Sequence, residues 1–209
     1  MNARVIGQKF ARLATNAVLR SPRLWRLFRP LMRMQFDAIA PQWDAMRTPG
    51  HLSPYEVALG AVDPAPTRAL DVGTGTGQGA FAIARRFPHA EVVGVDLASR
   101  MLAEATRNIP PELRDRVRFE QADASALPYP DASFDLVAHA NMIPFFDELV
   151  RVLQPGRQAL FAFSGGAATP IYVPPERLRQ ELGRRGFTEF AEFEAGPGTA
   201  LVARKPVRT

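Results

Sequence analysis

The chain has 209 residues, no cysteine, three histidines and a formal net charge of +5 at pH 7. The lack of cysteine excludes disulfide bonds, thiolate metal sites and cysteine nucleophiles, and so few histidines argue against a metal site. The sequence contains no run of about 18 apolar residues, which is the length that a membrane-spanning helix needs. It also contains no compact signal sequence, so we expect a cytoplasmic protein. The length suits one α/β domain with an additional segment.

The first 36 residues are basic, because they hold eight lysines and arginines and no acidic residue. Apolar residues recur at helical spacing from Ile6 to Ala17, and Ser21-Pro22 predicts the start of a second helix that Pro30 breaks or restarts. Such a segment is typical of a helix that packs on its own domain, of peripheral membrane contact, or of an organelle transit peptide. These interpretations stay open, and nucleic acid is not expected as a partner.

A glycine-rich turn, Gly73-Thr74-Gly75-Thr76-Gly77, lies between a predicted buried strand at 68–72 and a predicted helix at 81–87. Glycine accepts a positive φ and lets the backbone approach a ligand closely. The helix that follows directs free N–H groups and the positive end of its dipole into the same space. The sequence therefore predicts a small-molecule site at this turn.

From residue 68 onward the chain alternates predicted strands and helices, which indicates a parallel sheet with helices on both faces. The predicted strands span 68–72, 91–95, 116–120, 134–138 and 158–163, and a closing hairpin spans 187–193 and 199–204. The predicted helices after the turn span 81–87, 101–108, 145–153 and 175–185. A short proline-rich linker at 63–66 divides an N-terminal helical extension or lid, residues 1–62, from a cofactor-binding domain, residues 63–209.

Two cofactors suit a glycine-rich turn between a strand and a helix. A dinucleotide needs G-x-G-x-x-G, but Gln78 stands where the third glycine belongs. The pattern D-x-G-x-G-x-G is complete in Asp71, Gly73, Gly75 and Gly77. A carboxylate at Asp71 would repel a pyrophosphate and attract the ammonium and sulfonium groups of S-adenosylmethionine (SAM). An NAD(P)-dependent oxidoreductase is the alternative, although no Tyr-x-x-x-Lys pair is present.

This motif and those that follow it resemble the class I SAM-dependent methyltransferases, in particular the ubiquinone/menaquinone-biosynthesis type. The resemblance implies an α/β fold: a Rossmann-like three-layer sandwich with a seven-stranded, mostly parallel sheet, an antiparallel last strand and an N-terminal helical extension. It also implies SAM as the cofactor. The residues expected to bind it are Asp71, Gly73, Thr74, Gly75, Gly77, Gln78, Asp96, Leu97, Asp123 and Ala124.

Two further acidic residues have separate expected roles. Asp96 ends the second predicted strand, where a carboxylate can accept hydrogen bonds from both ribose hydroxyls, and Leu97 beside it could pack on the adenine. The resemblance implies that Asp123 accepts a hydrogen bond from the adenine 6-amino group and that the backbone N–H of Ala124 reaches the ring. An ordinary Asx turn that leaves the strand is the alternative interpretation of Asp123.

A second resemblance lies ahead of the main domain, in the aromatic-Asp-x-x-Ala-x-x-aromatic-Asp stretch at 36–44. It implies a lid helix in which Phe36 and Trp43 face the cofactor and substrate; simple helix packing is the alternative. The usual insertions on the acceptor side are absent, so we expect the N-terminal extension to form the acceptor wall. The predicted function is methyl transfer from SAM to a small-molecule or lipid-like acceptor, and a SAM-binding protein without turnover is a further alternative.

An oxygen or nitrogen acceptor could require a general base. His139, just past the fourth predicted strand, is the first candidate, with Asn141 as a polar residue that positions the acceptor. His51 is the second candidate. A structural histidine is the competing interpretation for both.

Overall fold

The computed structural model describes residues 3–207. Seven strands form one sheet: β1 (Arg68–Val72), β2 (Glu91–Asp96), β3 (Val117–Gln121), β4 (Phe134–Ala140), β5 (Leu153–Phe163), β6 (Thr188–Ala195) and β7 (Gly198–Arg204). The helices are α1 (Ala3–Arg20), α2 (Trp25–Ile39), α3 (Ser53–Leu59), α4 (Gln78–Arg86), α5 (Ser99–Arg107), α6 (Phe146–Val152) and α7 (Pro175–Gly183).

The strand order is β3-β2-β1-β4-β5-β7-β6. Strands β1 to β5 pair in parallel, whereas β7 is antiparallel to both β5 and β6. This arrangement confirms the predicted mostly parallel sheet with an antiparallel last strand. The strand order reverses next to β1, whose neighbours are β2 and β4. In open α/β sheets, a crevice for ligands forms at the carboxyl ends of the strands at such a point.

Both faces of the sheet are covered by apolar cores, because alternate side chains of each buried strand point to opposite faces. One core contains Leu70 and Val137 and includes apolar residues of α1 and α2, and the other contains Ala69 and Leu136. On α1, Ala11, Ala14 and Val18 are buried at the three- and four-residue spacing of one helical stripe. The N-terminal helices therefore share a core with the sheet.

Pro30 lies inside α2 and does not end it, so the prediction of a helix break there is wrong. Proline removes one hydrogen bond of the helix interior and costs about 3 kcal/mol. Trp25 and Met32, one on each side of Pro30, are both buried in the core. We attribute the continuity of α2 to this tertiary packing, which outweighs the local preference.

The start of β5 also differs from its prediction. The strand begins at Leu153, five residues before the predicted start at 158. Leu153 pairs with Phe134, and the register then shifts at an irregularity before Leu136. Helix α3 begins at Ser53 and accommodates Pro54 in its first turn, where proline is tolerated.

Within residues 3–207, no helix is long and apolar enough to cross a membrane. The described residues also contain no group of three or more histidine, aspartate or glutamate side chains that could hold a metal ion.

Candidate cofactor and acceptor site

A cavity of ≈ 540 Å³ lies at the carboxyl ends of β1, β2 and β4. Its sheet-edge wall consists of the glycine turn after β1, the end of β2 and residues 122–124 after β3. Its helical wall consists of α1, α2 and the segment 43–51. Most lining side chains are apolar, and about a third of the lining residues are polar or charged. This composition is typical of a site for a small organic ligand.

The glycines of the turn differ in what they face. Gly73, Gly75 and Gly77 all have positive φ, at 72°, 55° and 88°. A Cβ at Gly77 would lie 2.6 Å from Cζ of Phe119, inside the protein core. A Cβ at Gly75 would lie 3.4 Å from Nε1 of Trp43 and would project into the cavity, which Gly75 lines. Gly77 is therefore required by packing, whereas Gly75 leaves room for a ligand.

Asp71 lies behind the turn and does not line the cavity. Its carboxylate is fully buried and accepts hydrogen bonds from the Tyr55 hydroxyl (3.0 Å), the Thr74 hydroxyl (2.6 Å) and the Ala80 backbone N–H. Burial raises the pKa of Asp71 to about 6, although these hydrogen bonds oppose the shift. The sequence predicts a direct attraction between Asp71 and the cofactor. In the structure, the hydrogen bonds of Asp71 instead fix the turn and the start of α4.

Asp96 ends β2 and faces the cavity. Its carboxylate accepts hydrogen bonds from the backbone N–H groups of Gly75 and Ala98, both at 2.9 Å. Desolvation raises the pKa of Asp96, and these N–H groups act in the opposite direction. Leu97 lies beside it on the cavity wall. The Asp96 carboxylate is therefore held rigidly at the position where a ribose was expected.

The carboxylate of Asp123 is turned toward the N-terminal helices. It accepts hydrogen bonds from Trp25 Nε1 at 2.9 Å, from Arg29 at 3.0 Å and from the backbone and hydroxyl of Ser125. These donors lower its pKa against the effect of burial. Ala122 and Ala124 line the cavity, but Asp123 does not. The Asp123 carboxylate is thus engaged by the N-terminal helices and its own turn, and its contact with an adenine stays a prediction.

The stretch at 36–44 covers the glycine turn. Phe36 and Trp43 line the cavity and contact each other edge-to-face, with ring centroids 5.6 Å apart. Asp44 accepts a hydrogen bond from the Thr76 hydroxyl at 2.6 Å. Asp37 accepts one from the backbone N–H of Arg100 in the first turn of α5. These two aspartates attach the stretch to the sheet domain at both ends.

His139 is buried in the sheet and does not line the cavity. Its ring stacks on Phe161 with centroids 4.9 Å apart. Burial lowers its pKa to about 3, so the imidazole is neutral near pH 7. An imidazole without access to the cavity cannot take a proton from a ligand there. The burial of His139 therefore favours the structural interpretation that the sequence left open.

The predicted site residues divide into two groups. Those that line the cavity are Gly73, Gly75, Asp96, Leu97, Ala124, Phe36, Trp43 and Asn141. Those outside its lining are Asp71, Thr74, Gly77, Gln78, Asp123 and His139. Asn141 has a positive φ of 52°, and its side-chain oxygen accepts hydrogen bonds from the backbone and hydroxyl of Ser164. It therefore ties the ends of β4 and β5 together at the cavity edge.

Several cavity residues were not predicted from the sequence. Arg47 and Thr48 line the cavity near the glycine turn, Met142 lies against Gly73, and Gly7 and Gln8 of α1 belong to the helical wall. Arg47 lies three residues after the aromatic-Asp stretch at 36–44 and four residues after Trp43, so its spacing in the sequence could have identified it. The contributions of α1 have no sequence signal, because they depend on where the helix packs.

His51 lies on the cavity wall. Its Nδ1 is 3.1 Å from the backbone carbonyl of Thr48, so we infer that Nδ1 carries the proton. Nε2 is then an unprotonated acceptor, and it is buried without a hydrogen-bond partner among the described residues. Desolvation and the charge of Arg47 lower the pKa of His51. The imidazole is therefore neutral near pH 7, with a free lone pair.

Comparison with known proteins agrees with this geometry. Residues 69–159 match the family model described as a methyltransferase domain. A demethylmenaquinone methyltransferase of Deinococcus radiodurans is 32% identical over 200 residues, which cover 73% of this chain and 83% of that protein. A demethylmenaquinone methyltransferase of Thermus thermophilus is 48% identical over 104 residues, which cover 46% of each chain.

The fold also has solved relatives. Phosphoethanolamine N-methyltransferase 2 of Haemonchus contortus, in complex with SAM, superimposes with a TM-score of 0.60 at 20% sequence identity. The superposition covers 73% of this chain and 52% of that one, and at this identity it supports the fold alone. The family match and the Deinococcus relative carry the assignment. The chain belongs to the class I SAM-dependent methyltransferases, and SAM is its cofactor.

The residues present fit this cofactor. Because Gly75 has no side chain, a ligand can approach its backbone closely. Asp96 offers a fixed carboxylate that can accept hydrogen bonds from hydroxyl groups. Trp43 Nε1 is a buried donor with no partner among the described residues, and Trp43 lines the cavity beside Gly75. A polar ligand over the turn would satisfy this donor.

Proposed function

We propose that this chain transfers a methyl group from SAM to a small, apolar or lipid-like acceptor bound between the sheet edge and the N-terminal helices. The observation that carries the proposal is that one cavity joins a polar cofactor wall, with Gly75 and Asp96, to an apolar wall lined by Ala11, Trp25 and Met32. The Deinococcus and Thermus relatives are named for an apolar acceptor, demethylmenaquinone, which agrees with such a wall.

Residues 1–62 would then form the acceptor side and lid, and residues 63–209 the cofactor domain. SAM supplies an electrophilic methyl group when bound. The chain itself would hold the ribose at Asp96, fix the turn through Asp71 and exclude water with Phe36 and Trp43. Position and desolvation would then provide most of the rate acceleration.

His51 replaces His139 as the proposed general base. His51 lines the cavity, and its Nε2 has a lone pair that could accept a proton. The lowered pKa of His51 keeps the imidazole unprotonated near pH 7. We expect His51→Gln to reduce kcat by about 100-fold or more for an acceptor that must lose a proton, within the usual range for general bases. The pH profile of kcat should also lose its acidic limb, whereas His139→Gln should leave that limb in place.

The function is tested by methyl release from labelled SAM with a panel of quinol, fatty-acid and small carboxylic-acid acceptors. Turnover with at least one apolar acceptor, and SAM binding without NAD(P) binding, is the expected result. Binding of SAM without turnover of any acceptor would favour a SAM-binding protein. Binding of NAD(P) instead of SAM would overturn the proposal.

We further propose that α1 and α2 dock on an anionic lipid surface. Most of the exposed large apolar residues lie on or between these helices: Val5, Ile6, Leu13, Leu24, Leu27, Leu31 and Met34. Leu27, Leu31 and Met34 form a stripe at helical spacing that is separate from the buried residues Trp25 and Met32. Exposed arginines accompany it, and long basic side chains can reach lipid head groups while their stems cover apolar surface.

Cosedimentation with vesicles tests this docking. The full chain should bind phosphatidylcholine vesicles that contain phosphatidylglycerol, and bind weakly to vesicles of phosphatidylcholine alone. Leu27→Ser with Leu31→Ser should weaken the binding about tenfold or more, since each leucine transfers apolar area into the interface. Val57→Ser, which changes an exposed apolar residue of α3, is the matched control. Equal binding by the wild type and the double variant would contradict the docking proposal.

A further inference from the structure

Two side chains of the lid segment present unpaired donors to the cavity. Nε1 of Trp43 and Nε of Arg47 are buried, and neither has a hydrogen-bond partner among the described residues. Both residues line the cavity. A buried N–H group without a partner costs about 1–3 kcal/mol, so two of them in one small region indicate a group that accepts both.

The charge of Arg47 specifies that group further. Its guanidinium stacks on the Trp43 ring, with Cζ 4.6 Å from the centroid. Asp44, the nearest acidic residue in the chain, uses its carboxylate to accept hydrogen bonds from Thr76 and from Asn108. Burial lowers the pKa of Arg47 despite the charges of Asp44 and Asp71. A buried cation of this kind is stabilised best by an anion that also accepts hydrogen bonds.

Resting on the proposed function, we propose that Arg47 and Trp43 form a carboxylate-binding subsite of the cavity. A planar guanidinium offers two parallel N–H donors that match the two oxygens of a carboxylate. Trp43 adds a third donor and an aromatic face that fixes the guanidinium. The carboxylate could belong to the amino-acid part of the cofactor or to the methyl acceptor, and the chemistry of the subsite is the same in both cases.

The location of the subsite ties it to the reacting groups. Trp43 Nε1 is the atom nearest to the position that a Cβ on Gly75 would occupy, at 3.4 Å. Asp71, whose charge acts on Arg47, lies directly behind the same turn. The subsite is therefore next to the glycine turn.

Isothermal titration of the full chain with two ligands tests the subsite. S-adenosylhomocysteine carries the amino-acid carboxylate, and 5′-methylthioadenosine keeps the adenosine and thioether but lacks that carboxylate. If the cofactor supplies the carboxylate, Arg47→Gln should weaken S-adenosylhomocysteine at least tenfold and leave methylthioadenosine within twofold. Trp43→Phe should show the same selectivity with a smaller loss, and Arg47→Lys should recover part of the affinity.

If the acceptor supplies the carboxylate, a second titration, with a fatty acid, detects its binding to the subsite. Decanoate added to the protein saturated with S-adenosylhomocysteine should bind the wild type at least tenfold more tightly than Arg47→Gln, with S-adenosylhomocysteine unaffected and decanol insensitive to the change. Arg85→Gln, an exposed arginine of α4, is the control and should match the wild type in every titration.

Two results would overturn the subsite. In the first, Arg47→Gln weakens S-adenosylhomocysteine and methylthioadenosine equally, which would assign Arg47 a structural role. In the second, Arg47→Gln changes neither S-adenosylhomocysteine nor decanoate, although the wild type binds S-adenosylhomocysteine. A wild-type protein that binds neither adenosine ligand would contradict the proposed function itself, and the subsite with it.

Discussion

The two walls of the cavity are built in different ways. The sheet-edge wall comes from short stretches that end neighbouring strands, and backbone groups fix it: the N–H groups of Gly73 and Thr74 both bond to the carbonyl of Val95. The helical wall is held by side chains that reach across the chain. Trp25 bonds to Asp123, 98 residues away, and Arg12 bonds to the carbonyl of Thr169, 157 residues away.

Because of this difference, we expect the two walls to tolerate amino-acid substitutions to different degrees. Positive φ angles and close backbone contacts leave the glycine turn almost no freedom to change. Helices α1 and α2 of the helical wall are held by single contacts of moderate strength, so they can vary without loss of the cofactor site. We therefore expect the sheet-edge wall to determine the cofactor and helices α1 and α2 to determine the acceptor, and substitutions in each can test this division.

The largest effect is expected from Gly77→Val. A side chain there combines a positive φ with overlap against the rings of Phe119 and Phe81, so we expect a loss of about 2–5 kcal/mol in the free energy of unfolding. Gly75→Val shares the strained φ but lacks the core overlap, so it should fold and lose SAM binding. Urea denaturation and calorimetry separate the two. Equal stability of both variants would contradict the distinction between packing and ligand space.

The second effect is a pH dependence at the turn. The pKa of Asp71 rises from 3.8 to about 6 on folding, so the folded protein binds more protons than the unfolded chain between these values. Asp71 should therefore lower stability as pH rises from about 4 to 6, by up to about 3 kcal/mol in total. Compared with the wild type, Asp71→Asn should lack this contribution. Parallel pH profiles of stability for the two proteins would rule it out.

The third effect concerns the affinity for the cofactor. Asp96→Ala should weaken SAM by about 1.5–3 kcal/mol, because hydrogen bonds to a charged acceptor are lost. Titration calorimetry measures the change. Asp37→Ala is a suitable control, because Asp37 also accepts a backbone N–H but belongs to the lid stretch and does not line the cavity. Unchanged affinity in Asp96→Ala would move the ribose site elsewhere.

The smallest effect is expected in the helical wall. Trp25→Phe keeps an aromatic ring against Phe145 and loses the hydrogen bond to Asp123, which should cost about 1–2 kcal/mol of stability. Affinity for S-adenosylhomocysteine should change by less than threefold. A double-mutant cycle with Asp123→Asn measures the coupling between the two side chains. A large loss of cofactor affinity in Trp25→Phe would show that α2 also binds the cofactor.

The sequence was sufficient for the sheet, for the glycine turn and for the position of Asp96 at the end of β2, because each depends on neighbours in the chain or on the regular alternation of strands and helices. It was insufficient for the side-chain directions of Asp71, Asp123 and His139. A motif identifies the residue type at a position, but the direction of its side chain depends on partners such as Tyr55 and Trp25. The predicted break in α2 was wrong for the same reason, because packing against distant residues outweighs the local effect of Pro30.

A crystal structure of the full chain with S-adenosylhomocysteine tests the division of the cavity most directly. We predict that the ligand lies over Gly73 and Gly75, that its ribose hydroxyls bond to Asp96, and that the space beneath α1, beside Gln8 and Ala11, stays open for the acceptor. Ligand density beneath α1, or a ribose without contact to Asp96, would contradict this prediction.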